Sequence, residues 1–366
     1  MQAFWFGTIA VLWAGFFVLE GFDFGVGMLL PLVAKTDQDR RVALRSIGPV
    51  WDGNEVWLLT AGGATFAAFP EWYASAFSGF YLAFALLLVG LILRGIGIEY
   101  RGKAATAQGR LWCDGATALG SFLPSLLLGV AFANFLRGVT MDAGHNMTNG
   151  FFSLLNPFAL LGGLVTLSLF ALHGANFLVL RTEGPVRSRA AGLVTILGPV
   201  TAGLGLVFLL WSFAVRSTPV GILVAGLLVV VLVAGLLAGR AGRAGWAFIG
   251  TAVSAVLVPV WAFSALWPNV LPDRANKAFS LTVHNASSSP YTLKVMTVVA
   301  LIFTPIVLAY QAWTYWVFRA RVTGAIADGE GYGSGKVGEI VAKARESAKQ
   351  TLGTEGGTVP AGTEPS

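Results

Sequence analysis

Charge is scarce in this chain. Of 366 residues, 11% are Asp, Glu, Lys or Arg, against roughly 25% in an average soluble chain. With 55% hydrophobic residues and a mean hydropathy of +0.72, that shortage excludes a soluble globular domain. Cysteine occurs once, at Cys113, which excludes an internal disulfide and any thiolate cluster. Dense basic clusters are missing too. The net charge of +6 is spread one to four residues per loop, too thinly to track phosphates, so no nucleic-acid partner is expected. The N-terminus has no basic segment, and its apolar run of about 30 residues is too long for a signal peptide, so it reads as a retained span.

What the chain has is long apolar runs. Several reach the ~20 residues that a helix needs to cross a bilayer, and they are too long and uniform for barrel strands. The fold class is therefore an all-α polytopic membrane protein. Nine transmembrane helices are expected, near 4–34, 50–69, 73–98, 114–136, 152–180, 191–214, 219–238, 246–267 and 293–318. Alternate connections are basic: Lys35, Arg40, Arg41 and Arg45; Arg101, Lys103 and Arg110; Arg181, Arg187 and Arg189; Arg240 and Arg243; Arg319 and Arg321. The positive-inside rule then sets the N-terminus outside and the C-terminus in the cytoplasm. The loop at 268–292 departs from this pattern, with Arg274 and Lys277. Residues 1–322 form the membrane domain, and 323–366 read as a disordered cytoplasmic tail, with a short amphipathic helix through Ile340, Val341, Ala344 and Leu352 as the alternative.

The chain carries a weak internal repeat. Leu19-Glu-Gly-Phe-Asp-Phe24 matches Leu172-His-Gly-Ala-Asn-Phe177, and Ile47-Gly-Pro-Val50 matches Leu197-Gly-Pro-Val200. Four spans separate the copies, so both halves keep one orientation. This implies two parallel-repeat four-helix units, 1–137 and 151–267, plus one extra helix at 293–318. In the second copy His173 and Asn176 stand where the first has Glu20 and Asp23.

Those acids are the sequence's sharpest signal. Glu20 and Asp23 lie inside the first apolar run, and Asp52 and Glu55 open the second. A carboxylate at the bilayer centre costs roughly 2.5–3.5 kcal/mol even on the lenient scale. Each pair is spaced by three and so shares a helix face. In the inferred orientation Asp52 and Glu55 lie near the cytoplasmic mouth, and Asp23 and Glu20 near mid-membrane. Such an array can pass protons inward. Gly21 and Gly25 would let the first two helices approach closely. The structural alternatives are an Asp52 that caps its helix and an Asp23 that pairs with Arg94. A proton-coupled secondary transporter would also carry intramembrane acids and repeats, though its repeats are often inverted and its helices broken at the midplane.

Longer strings are more specific. Gly21-Phe-Asp-Phe-Gly-Val-Gly27, Trp51-Asp-Gly-Asn-Glu-Val-Trp-Leu58 and Ala61-Gly-Gly-Ala-Thr-Phe-Ala-Ala-Phe-Pro70 resemble subunit II of the cytochrome bd-type quinol oxidases. So do Leu155-Asn-Pro-Phe158, Ala278-Phe-Ser-Leu-Thr-Val-His-Asn-Ala-Ser-Ser-Ser289 and Ala312-Trp-Thr-Tyr-Trp316. The resemblance covers about residues 1–320. It implies a prokaryotic plasma-membrane complex that oxidises quinol, reduces dioxygen to water and generates proton-motive force. It implies subunit I as partner in a heterodimer, with haems b and d and the quinol on that partner and no cofactor or metal in this chain. The family's cytoplasmic proton path matches Asp23 and Asp52 most closely. Position 55 is an amide in some relatives, and position 20 is acidic in only some. Small single-span subunits, and a lipid or quinone in a groove, stay open. The three histidines fit a haem-free chain: His145 and His284 fall in outer loops, and His173 is intramembrane but alone, more often a packing residue than a ligand. Most of the twelve tryptophans sit near span ends, as an aromatic belt does.

Overall fold

The computed structural model describes residues 1–148 and 150–324. The tail and its amphipathic alternative lie almost wholly outside the described residues. Apart from the connecting loops, short single-turn segments and isolated bridges, the described chain is helical, with two short strands in the connection at 267–289, β1 (Asn269–Leu271) and β2 (Leu281–Thr282), paired antiparallel. Eight helices are long and apolar enough to cross a membrane. They are α1 (Gln2–Val33), α5 (Tyr81–Arg101), α6 (Ala107–Arg137), α7 (Pro157–Arg181), α8 (Gly184–Val215), α9 (Pro219–Arg240), α10 (Ala244–Leu266) and α11 (Pro290–Val317). The shorter helices are α2 (Asp37–Ile47), α3 (Trp51–Ala68) and α4 (Pro70–Gly79).

Starts are written in the sequence. Thr36, Thr106, Asn156, Thr218 and Ser289 each accept a backbone N–H as N-cap, and Pro157, Pro219 and Pro290 open their helices. Proline suits that position because its missing N–H would have no helical partner there. Several helices begin before the expected apolar boundary, α6 at Ala107 and α8 at Gly184, because their first turns are polar and hydropathy does not register them.

Two expectations need correction. The continuous span expected at 73–98 is broken at Phe80. Pro70 ends α3 by restricting Phe69 and itself opens the ten-residue α4. That helix is tied to the connection after α6 by Ser75 Oγ donating to His145 O at 2.7 Å. Only α5 crosses. The second correction is α2, expected as a basic loop. Its Thr36 capping box and strongly one-sided polarity make it a helix lying across the ends of α1, α7 and α8.

α1 is the central helix. It packs on α3, α6, α7 and α10, while α7 packs on α8, α10, α1 and α6. At the α1–α7 crossing Gly25 and Gly174 meet backbone to backbone, and a Cβ on Gly25 would collide with Phe170 O and Gly174 Cα. Phe22 stacks on Phe177 with centroids 4.1 Å apart. α11 is the opposite case. It packs chiefly on α3 and leaves most of its side chains exposed.

Candidate functional site

The intramembrane polar groups gather where α1, α3, α5 and α11 come together. Glu20 and Asp23, one helical turn apart on α1, are both fully buried, but they face different partners. Glu20 pairs with Arg94 of α5, also fully buried. The Arg94 guanidinium lies over the rings of Phe24, 4.8 Å to the centroid, and Trp51, 5.5 Å. So the partner of Arg94 is Glu20, where the sequence had offered Asp23.

Asp23 faces α3 and α11. Asn54 Nδ2 donates to its Oδ2 at 2.6 Å and to Leu19 O at 3.2 Å. The Asn54 oxygen accepts from Gln311 Nε2 and from the Tyr315 hydroxyl, both at 2.9 Å. Trp57 Nε1 donates to Gln311 Oε1 at 3.2 Å, and its ring occupies the space that a side chain at Gly15 would need. Sequence reasoning missed Asn54, Gln311 and Tyr315. The available signals were an amide lodged between two acids in Trp51–Leu58, and two polar residues four apart on one face of the last apolar run.

Asp52 and Glu55 open α3. Asp52 is exposed in its first turn, and Glu55, one turn further in, is half-buried. The N-cap of α3 is Val50 and no side chain caps it, so Asp52 does not cap this helix. Charge on Asp52 acts on Glu55, and charge on Glu55 acts on Asp23. The three carboxyls thus form a series of increasing burial, electrostatically linked in order.

The end of the bundle where α3 begins is rimmed with ion pairs. Arg101 reaches Asp114 at 2.6 Å and Asp37 at 2.8 Å, and Arg40 reaches Asp114 at 3.3 Å. Arg189 binds Asp39 at 2.7 Å. Burial works to raise the Asp39 carboxyl, but hydrogen bonds from Arg189 and from the backbone of Thr36 and Lys35 outweigh it. Asp39 is held below the usual carboxylate range. Asp37 is likewise held low, with Arg101 and Arg41 outweighing its burial.

His173 is fully buried and engaged at both ring nitrogens, with Thr251 Oγ1 at 2.9 Å and Val18 O at 3.1 Å. It stacks on Phe248. Among the described residues no three His, Cys, Asp or Glu side chains gather as a metal site would require.

The family model for cytochrome bd terminal oxidase subunit II matches residues 1–318. The chain belongs to that family. Subunit 2 of the cytochrome bd-I ubiquinol oxidase of Escherichia coli K12 is 38% identical over 357 residues, covering 87% of this chain and 94% of the relative. Subunit 2 of the cytochrome bd ubiquinol oxidase of Bacillus subtilis is 39% identical over 331 residues, covering 87% and 96%. A chain in the structure of the bd oxidase from Geobacillus thermodenitrificans shares the fold, with a TM-score of 0.68 at 16% identity over 86% of this chain and 98% of that one. The chain is therefore a multi-pass membrane subunit of a terminal quinol oxidase, and the resemblance read from Trp51–Leu58 and its companion strings is correct.

Proposed function

We propose that this chain is the haem-free subunit of the oxidase and that it leads protons from the cytoplasm toward the partner that holds haems b and d and the quinol. The path runs from Asp52 through Glu55 to Asp23. The observation that carries this reading is the ordered series of three carboxyls, exposed, half-buried and fully buried, each acting on the next. A carboxyl can take up a proton at one oxygen and release it from there, which an aliphatic side chain cannot do. Glu20 enters as the ionised partner of Arg94, fixing charge beside the path.

The rest of the reading has separate support. Counting α3, 18 residues or roughly 27 Å at 1.5 Å per residue, the crossings number nine. The N-terminus is then outside and the described C-terminal end cytoplasmic, in keeping with the basic residues after α1, α5, α7, α9 and α11. The packing of α1 with α3, α6, α7 and α10 mirrors that of α7 with α8, α10, α1 and α6, and α5 pairs with α6 as α9 does with α10. That correspondence favours two parallel four-helix units, within 1–137 and 151–267, with α11 as the added helix. The exposed apolar flank of α3, α5 and α11 suits a membrane-embedded partner, subunit I, for which this chain is the scaffold. Small single-span subunits and lipid or quinone would meet the remaining apolar surface. The transporter reading loses ground because α1 and α3 run unbroken through their acids.

The test is Asp52→Asn in the assembled oxidase. Oxygen consumption per haem is expected to fall tenfold or more, about 1.4 kcal/mol on the barrier, with haem content unchanged. Wild-type turnover in a fully assembled variant would end the reading.

A further inference from the structure

The two amides beside Asp23 are oriented by a group that cannot reverse. The Trp57 indole N–H only donates, and it occupies Gln311 Oε1. The Gln311 NH2 is left to face Asn54, whose oxygen takes that N–H and the Tyr315 hydroxyl. The Asn54 NH2 must then turn to α1, where Asp23 Oδ2 and Leu19 O accept. A carboxamide has two lone-pair sites and two N–H groups, and Asn54 uses all four. Reversing it would set an N–H group against the Gln311 NH2 of α11 and an oxygen against the Asp23 carboxyl. An unmatched polar contact of this kind is costly away from water.

We propose that Trp57, Gln311, Tyr315 and Asn54 are positioning residues forming a one-way clamp, which reserves Asp23 Oδ2 as an acceptor so that the proton carried by Asp23 loads on and leaves from Oδ1. Oδ1 is buried and meets no hydrogen-bond partner among the described residues. It is the oxygen free to form and break an O–H bond. A proton arriving from the Glu55 side leaves a carboxylate behind and converts Asp23 to the acid. Release onward restores the Asp23 carboxylate, and no electrons move. The clamp also gives α11 a role. Gln311 and Tyr315 are its contribution, so Asp23 is set correctly only while α11 is seated on α3. The proposal rests on Asp23 belonging to the proton path.

The test is Gln311→Glu in the complete oxidase, with Trp57→Phe as a second variant. The introduced carboxylate has oxygens on both sides. One still accepts from Trp57, and the other demands a donor from Asn54, which reverses the clamp. Oxygen consumption per haem should fall about threefold or more and its pH profile should shift. In an Asp23→Asn background the same substitution should cost nothing further, because coupled residues are non-additive. Trp57→Phe removes only the indole donor and should act in the same direction, more weakly; it decides the matter if Gln311→Glu does not assemble. An unchanged pH profile, or an equal loss in both backgrounds, overturns the clamp. Asp23→Asn alone with wild-type turnover overturns the path itself, so the two failures are distinguishable.

Discussion

At the scale of single residues, carboxyls of one motif do different work. Asp23 and Glu20 are one turn apart and equally buried, yet Asp23 faces a neutral amide and Glu20 a guanidinium. Asp23→Asn and Asp52→Asn should each cut oxygen consumption per haem tenfold or more. If they act in series, the double variant should be little worse than the poorer single, as for residues acting as a unit; multiplied losses would exclude a single path. Glu20→Gln should behave otherwise. It strands a buried guanidinium, which typically costs about 3–5 kcal/mol, so the loss should appear as less assembled oxidase per membrane, with near-normal turnover in what assembles. The acids were legible because charge in an apolar run is conspicuous. Asn54, Gln311 and Tyr315 were not, because uncharged polar residues occur in spans for many reasons and only their convergence across three helices marks them.

At the scale of elements, close approach and anchoring decide the geometry. Gly25→Ala puts a methyl into the α1–α7 backbone contact, and overpacking of that kind costs about 1–3 kcal/mol. A lower thermal midpoint for the solubilised oxidase is the expected result, and an unchanged midpoint would mean that α1 and α7 can part without penalty. α2 is anchored by Asp37 and Asp39, whose carboxyls are held low in the folded chain. A depressed carboxyl stabilises the fold above its unfolded value, about 3.9, and that contribution is lost as pH falls through the lower folded value. Amide exchange in α2 should therefore stay slow from neutral pH down to about pH 4 and quicken below it; loss of protection already near neutrality would assign the anchor to other contacts. Side-chain caps mark five α-helix starts, at Thr36, Thr106, Asn156, Thr218 and Ser289. The break at Phe80 was hidden, because the apolar run continues through it and only the packing of the folded chain, with α4 docked on the connection after α6, separates the two helices.

At the scale of the whole molecule, orientation and cofactor content are open to direct measurement. Cys113, the one cysteine, lies half-buried near the start of α6. A membrane-impermeant thiol reagent should label it in inside-out vesicles and spare it in right-side-out ones; the reverse pattern would invert the topology. Expressed without subunit I, the chain should show no stoichiometric haem absorbance, since the ring nitrogens of its only membrane-embedded histidine are both engaged. Composition and apolar run length by themselves determined that this is a helical membrane protein and which acids stand out. Those properties follow from the cost of moving each residue into hydrocarbon, a sum over local sequence. The tertiary structure alone decided that Arg94 belongs to Glu20, that Asp23 belongs to Asn54, and that α11 reaches back from the far end of the chain to hold that amide. Hydrogen-bond partners are set by which helix faces meet, and helices of similar apolarity can pack in many pairs until shape at contacts such as Gly25–Gly174 and Gly15–Trp57 selects one.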